Sequence, residues 1–274
     1  MSAAEALRDQ GMARQRWLAQ ELAQLEVIPS VAAVWLWGSG GRGDDDALSD
    51  WDIFVAWDET SEVAGLESGW FRRFGELLWW HEDSFNAPAD GRFVATGYPA
   101  PYSPLPVDWY LQPASAAQIG TDTRVLWERS PLPRVPVETF GLFPTVTNDV
   151  EFVLPTDPVE RVQHQLAWFW FMYAPMAKWA ARGDADRTGD ELPGLNRVLR
   201  EVADLVGQQP VLGRDGDVFS TVRALGNAMV SLHPALRSAG VELPPEVTER
   251  LRSYDEANEI RRQGWLHWRT VQEG

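Results

Sequence analysis

The stretch from Val31 to Trp57 constrains the fold most strongly, because it predicts two strands joined by a glycine-rich turn. Its first part, VAAVWLW, has the length and the β-branched and aromatic content of a buried strand. The turn at 38–43 and a short acidic loop lead into DWDIFVAW at 50–57, which predicts a second strand. Since side chains alternate between the faces of a strand, Asp50 and Asp52 should share one face. Two carboxylates beside a turn rich in backbone N–H groups indicate a site for magnesium and a nucleotide phosphate.

Two common glycine motifs fit this stretch poorly. Gly38, Gly40 and Gly43 satisfy the spacing G-x-G-x-x-G, but a dinucleotide-binding fold needs a helix that begins at the third glycine. Residues 44–46 are instead three aspartates, which we expect to be solvated, and the next strand follows within a few residues. The phosphate-binding P-loop is excluded because Asp44, rather than lysine, follows the last glycine.

The composition limits the classes of partner. The 274 residues include 24 Lys and Arg against 40 Asp and Glu, which gives a net charge of −16. Such a surface repels nucleic acid and would attract a small polycation, although it could equally serve solubility alone. The absence of cysteine excludes disulfides and a thiol nucleophile, and no two of the 4 histidines have zinc-ligand spacing. No signal peptide and no apolar run of about 18 residues is present, so we expect a cytoplasmic protein without a membrane segment.

The rest of the chain predicts an α+β half followed by a helical half. In the first half, the patterns favour helices at 2–25 and 65–80 and strands at 92–98, 107–111 and 124–127. From about Pro155 the character becomes helical, with Asp157-Pro158 as a start signal and Gly183 as a stop. Further helices are expected at 191–206, 219–232 and 245–271. We therefore predict two domains, 1–140 and 141–274.

The combination of motifs resembles the nucleotidyltransferase superfamily, which has a polymerase-β-like fold. Gly38-Ser39, Gly43 and Ser49-Asp50-Trp51-Asp52 are similar to its G-S-x(3)-G and S-D-x-D signature, and Asp108 in VDWYL resembles its third carboxylate. The similarity covers residues 31–113, and the helical half resembles in kind the C-terminal domain of aminoglycoside and lincosamide nucleotidyltransferases. The resemblance implies a nucleotidyltransferase-type mixed β-sheet with helices, followed by a C-terminal α-helical bundle.

The resemblance also implies a reaction and its residues. ATP would donate AMP to a hydroxyl group, with pyrophosphate leaving and with two Mg²⁺ ions held by Asp50, Asp52 and Asp108. Asp108 would also be the base that deprotonates the acceptor, which makes these three aspartates the catalytic set. Residues expected to contact the nucleotide are Gly38, Ser39, Arg42 and Ser49, together with the single lysine, Lys178.

The acceptor is expected to be a small, cationic, hydroxylated molecule such as an aminoglycoside. Acidic residues where the two halves join could bind its ammonium groups, or could be ordinary surface: Asp149, Glu151, Asp157 and Glu160. Two other functions stay open. One is a nucleotidyltransferase that modifies a protein, of the AMP-transferring antitoxin type, and the other is a catalytically silent nucleotide-binding module. The oligomeric state is not predicted.

Overall fold

The computed structural model describes residues 3–58, 68–83, 86–88, 90–136, 155–210 and 216–264. The chain divides into two compact units, Met1–Glu151 and Phe152–Gly274. The predicted domain boundary near residue 140 lies outside the described residues. What is described combines a mixed β-sheet with helices, which confirms the mixed α and β composition of the fold. None of the described helices is both long and apolar enough to cross a membrane.

A mixed sheet forms the centre of the first unit. Its elements are α1 (Ala3–Glu26), β1 (Val31–Leu36), α2 (Gly38–Arg42), β2 (Trp51–Trp57), α3 (Ser68–Phe71), β3 (Trp79–Asp83), β4 (Arg92–Tyr98), β5 (Leu105–Pro113), β6 (Ile119–Gly120), β7 (Arg124–Glu128) and β8 (Arg134–Val135). Among the described residues the main sheet has the order β3-β4-β5-β2-β1-β7, and β6 pairs with β8. In the main sheet β2 and β5 are parallel, whereas the other neighbouring strands are antiparallel.

One face of this sheet packs against α1 and the segment around α3. Trp51, Ile53 and Val55 point to this face and are at most 1% exposed, which confirms the predicted alternation in β2. Trp109 lies in the same core, stacks on Phe74 and donates its indole N–H to the hydroxyl of Thr96 at 2.9 Å. Because successive side chains of a strand point to opposite faces, Asp52, next to Trp51, and Asp108, next to Trp109, lie on the other face of the sheet.

The helix predicted at 65–80 is wrong in its second half. The helical segment around α3 ends at Gly75, whose φ of 132° interrupts it, and residues 79–83 form the edge strand β3 instead. Trp79 covers Gly97 of β4, where a Cβ would overlap the indole ring. The leucine and tryptophan residues of this stretch are compatible with a helix or a strand. Gly97 on the neighbouring strand favours the strand, because it leaves room for the Trp79 ring.

The second unit consists of helices in its described part. They are α4 (Pro158–Arg182), α5 (Ala185–Leu205), α6 (Val218–Ser231), α7 (His233–Ser238) and α8 (Val247–Gln263). Asp157 caps α4 by accepting from the amides of Val159 and Glu160, and Gly183 ends it with a φ of 70°, so both predicted signals are confirmed. Helix α5 begins earlier than predicted because Asp184 caps it.

Candidate functional site

Two predicted carboxylates lie side by side on the parallel strands at the centre of the sheet. Asp52 of β2 and Asp108 of β5 occupy the same register position, and both side chains are partly exposed. Neighbouring strands are about 4.8 Å apart, so side chains in register on one face are direct neighbours. Asp50 precedes β2 by one residue. Asp50 and Asp52 of the D-x-D pattern therefore lie near the same end of the parallel pair β2 and β5 as Asp108 does.

Tyr110 connects the three aspartates. Its pKa is raised well above the ordinary value, first by burial and then by the negative charges of Asp52, Asp108 and Asp50. A hydrogen bond with Asp52 acts in the same direction, since the neutral phenol is the donor. The ring is held by stacking on Phe54 at a centroid distance of 4.4 Å. All three carboxylates therefore favour the neutral form of the Tyr110 phenol.

The glycine-serine segment forms a short helix, α2, rather than the open turn expected from the sequence. The helix ends at Gly43, which has a φ of 78°, so no helix begins at the third glycine and the dinucleotide-binding motif is absent. Gly38 has a φ of 60°, and a Cβ on it would overlap the Asp52 carboxylate. Asp52 therefore lies against the backbone at the start of this segment, in a space that only glycine leaves open.

The acidic loop between α2 and β2 is organised by Arg14 of α1, a residue that the sequence reading missed. Arg14 is 1% exposed and forms an ion pair with Asp45. Burial lowers the pKa of Arg14, and the surrounding carboxylates, Asp45 foremost, oppose that effect. The side chain of Asp46 accepts from the amide of Leu48 at 2.9 Å. The expectation that residues 44–46 are all solvated is therefore wrong for Asp45 and Asp46, because both hold the loop together.

The other predicted nucleotide contacts of the first unit lie in or next to this loop. Ser39 accepts from the amides of Gly43 and Asp44 through its carbonyl oxygen. Arg42 is about half exposed and pairs with Asp44 at 3.3 Å. Ser49 is 3% exposed, and its hydroxyl exchanges hydrogen bonds with Asp46. These contacts give Ser49 a role in loop structure, and its contact with a nucleotide stays a prediction.

The remaining predicted residues belong to the second unit or lie outside the described residues. Lys178, Asp157 and Glu160 are associated with α4, where Asp157 is the helix cap and Glu160 lies in the first turn. Glu151 and Asp149 lie outside the described residues. Roles for these residues in phosphate or acceptor binding stay predictions.

The fit of a metal ion rests on a pair of carboxylates. Within the described ranges, no group of three or more His, Cys, Asp or Glu side chains is arranged to hold a metal ion. Magnesium in nucleotide sites often takes only one or two carboxylates, with phosphate oxygens and waters as its other ligands. The adjacent Asp52 and Asp108 fit that donor set.

Neither a family model nor a curated protein matches this chain.

Proposed function

We propose that this chain is a magnesium-dependent nucleotidyltransferase that moves AMP from ATP to a hydroxyl of a small molecule. The observation that carries the proposal is the in-register pair Asp52 and Asp108 on parallel strands, with Asp50 one residue before β2. A short Gly-Ser segment packed directly against Asp52 adds to it. A pair of carboxylates next to glycine backbone supplies the oxygen ligands that magnesium prefers and a place where a phosphate chain can approach the backbone closely.

The chemistry assigns a role to each carboxylate. The acceptor hydroxyl oxygen forms a bond to the α-phosphorus, the bond from that phosphorus to the bridging oxygen breaks, and pyrophosphate leaves. Asp108 takes the hydroxyl proton, while Asp50 and Asp52 would hold magnesium with it. When bound, magnesium neutralises charge that develops on the phosphate oxygens. Gly38, Ser39, Arg42, Ser49 and Lys178 are the proposed nucleotide contacts.

The proposal also assigns a role to each of the two units and a chemical class to the acceptor. The first unit would be a nucleotidyltransferase-type catalytic domain and the second a helical-bundle domain that binds the acceptor, in a cytoplasmic enzyme. The net charge of −16 supports a cationic acceptor of the aminoglycoside type, with Glu151, Asp157 and Glu160 as candidate ammonium contacts. Modification of such an antibiotic would confer resistance to it.

One observation favours a second candidate, a catalytically silent nucleotide-binding module. The described residues contain no metal-holding group of three acidic or histidine side chains. Such a module would bind ATP and release no pyrophosphate with any acceptor.

The test is pyrophosphate release from ATP and magnesium with a panel of aminoglycosides, lincosamides and neutral sugars. We expect release that depends on one acceptor class. Asp52→Asn and Asp108→Asn should each abolish it, and Glu26→Gln, an equal charge change at an exposed position at the end of α1, serves as the control. ATP binding without release would favour the silent module, and the absence of ATP binding would refute both candidates.

A further inference from the structure

Arg14 makes contacts in three directions with the segment that leads into β2. Its Nε donates to the carbonyl oxygen of Ser49 at 2.7 Å, and its Nη2 donates to the carbonyl oxygen of Asp50 at 3.0 Å. Its Nη1 pairs with the carboxylate of Asp45. The guanidinium also lies over the Trp51 ring, 3.3 Å from the centroid, and the Trp51 indole N–H donates back to the Arg14 carbonyl at 3.3 Å. One buried side chain therefore contacts residues on both sides of Asp50.

The sheet holds Asp52 but does not extend to Asp50. Pairing between β2 and β5 begins at Trp51 opposite Val107, and the carbonyl of Asp52 accepts from the Trp37 amide at 3.0 Å. Asp50 lies before the first paired residue, and its carbonyl accepts from Arg14 instead. The orientation of the peptide that carries Asp50 thus depends on the guanidinium, whose planar donors have a rigid geometry.

Stability alone does not account for the burial of the Arg14 guanidinium in α1. Removing an arginine from water is costly, and an apolar side chain of similar size in the same stripe of α1 would avoid that cost. An arginine is suited to one further task, which is to bind two consecutive carbonyl groups and a carboxylate at once.

We propose that Arg14 is a positioning residue that sets Asp50 for the magnesium–nucleotide complex. This inference depends on the proposed function, because it assigns Asp50 a ligand. Arg14 does not touch the nucleotide; it acts through the loop that it holds.

Two substitutions separate geometry from charge. Arg14→Lys keeps the positive charge, but a single ammonium group cannot reach all three acceptors or stack on Trp51 as a planar group. Arg14→Met removes both charge and hydrogen bonds. Arg16→Lys is the matched control, since Arg16 lies on the same helix and is exposed. If Arg14 acted only through its charge, Arg14→Lys would behave like the wild type.

The experiment combines hydrogen–deuterium exchange of the full chain with titration of Mn²⁺–ATP. We expect Arg14→Lys to speed amide exchange in residues 44–50 and to raise the Kd for Mn²⁺–ATP about 10- to 100-fold, the usual effect of removing a group that orients a metal ligand. Exchange in β1 and β4 should stay unchanged, and Arg16→Lys should change neither measurement.

Several outcomes would overturn the inference. Faster loop exchange with an unchanged Kd would make Arg14 a structural residue only, and wild-type values of both measurements would exclude any role in the loop. If Arg14→Lys does not fold, Asp45→Asn replaces it and should raise the exchange rate of residues 44–50 and the Kd for Mn²⁺–ATP by a smaller factor. If neither the exchange rate nor the Kd changes, Arg14 is not a positioning residue. A wild type that binds no Mn²⁺–ATP refutes the proposed function itself, which is a distinct result.

Discussion

Gly38→Ala tests whether Asp52 lies where the proposed site needs it, and Gly43→Ala supplies the control. Both glycines have positive φ angles, 60° and 78°, so both substitutions force an L-residue into the left-handed region. That strain costs about 1–2 kcal/mol at either position. They differ in their surroundings, since a Cβ at Gly38 overlaps the Asp52 carboxylate and a Cβ at Gly43 meets nothing within 4 Å.

The difference between the two variants therefore measures the contact with Asp52. Moving a half-buried carboxylate out of its rotamer costs about 0.5–1.5 kcal/mol. We expect Gly38→Ala to lower the free energy of unfolding by about 1 kcal/mol more than Gly43→Ala does. Because the chain has two compact units, urea unfolding should be followed by hydrogen exchange in peptides of the first unit. Equal destabilisation by the two variants would refute the placement of Asp52 against Gly38.

Three further predictions concern the residues that support the fold and its pH dependence. Thr96→Val should cost about 1–3 kcal/mol in urea unfolding, because it leaves the buried indole N–H of Trp109 without its acceptor. Asp157→Ala should cost about 1 kcal/mol through loss of the α4 cap, measured by exchange in the second unit. Burial raises the pKa of Glu21 from 4.5 to about 7. Between these two pH values the folded chain keeps a proton that the unfolded chain releases, so the free energy of unfolding falls as the pH rises from 4.5 to about 7. Glu21→Gln should remove this pH dependence and stabilise the chain by on the order of 1 kcal/mol above pH 7, as seen in urea unfolding at a series of pH values.

The parts of the fold that could be predicted are those with local signals. Alternation in residues 50–57 gave the faces of Asp52 and Trp51, and the Asp157 and Gly183 signals gave both ends of α4. Edge strand β3 could not be predicted, because its stability depends on Gly97, which lies on another strand. Local patterns do not contain that information.

Arg14 was missed for a related reason. The buried residues of α1 recur at intervals of three and four along one face of the helix; they include Leu7, Gln10, Arg14, Leu18, Glu21 and Leu25. Apolar periodicity alone skips the three polar members, Gln10, Arg14 and Glu21. A charged residue at helical spacing within an apolar stripe was the available signal, and it indicates a buried group with a specific distant partner.

Two of the three polar members of that stripe, Gln10 and Arg14, connect α1 to the two loops that enter the parallel strands. Gln10 accepts from the amides of Tyr102 and Ser103 and donates to the Ser103 carbonyl, in the segment before β5. Arg14 binds the corresponding segment before β2. Both loops therefore enter the strands that carry Asp52 and Asp108 at the same register, and both are fixed to the same helix. Apolar residues could hold α1 on the sheet, but directional hydrogen bonds also fix the two loop entrances relative to one helix, which gives Gln10 and Arg14 a role within a buried stripe.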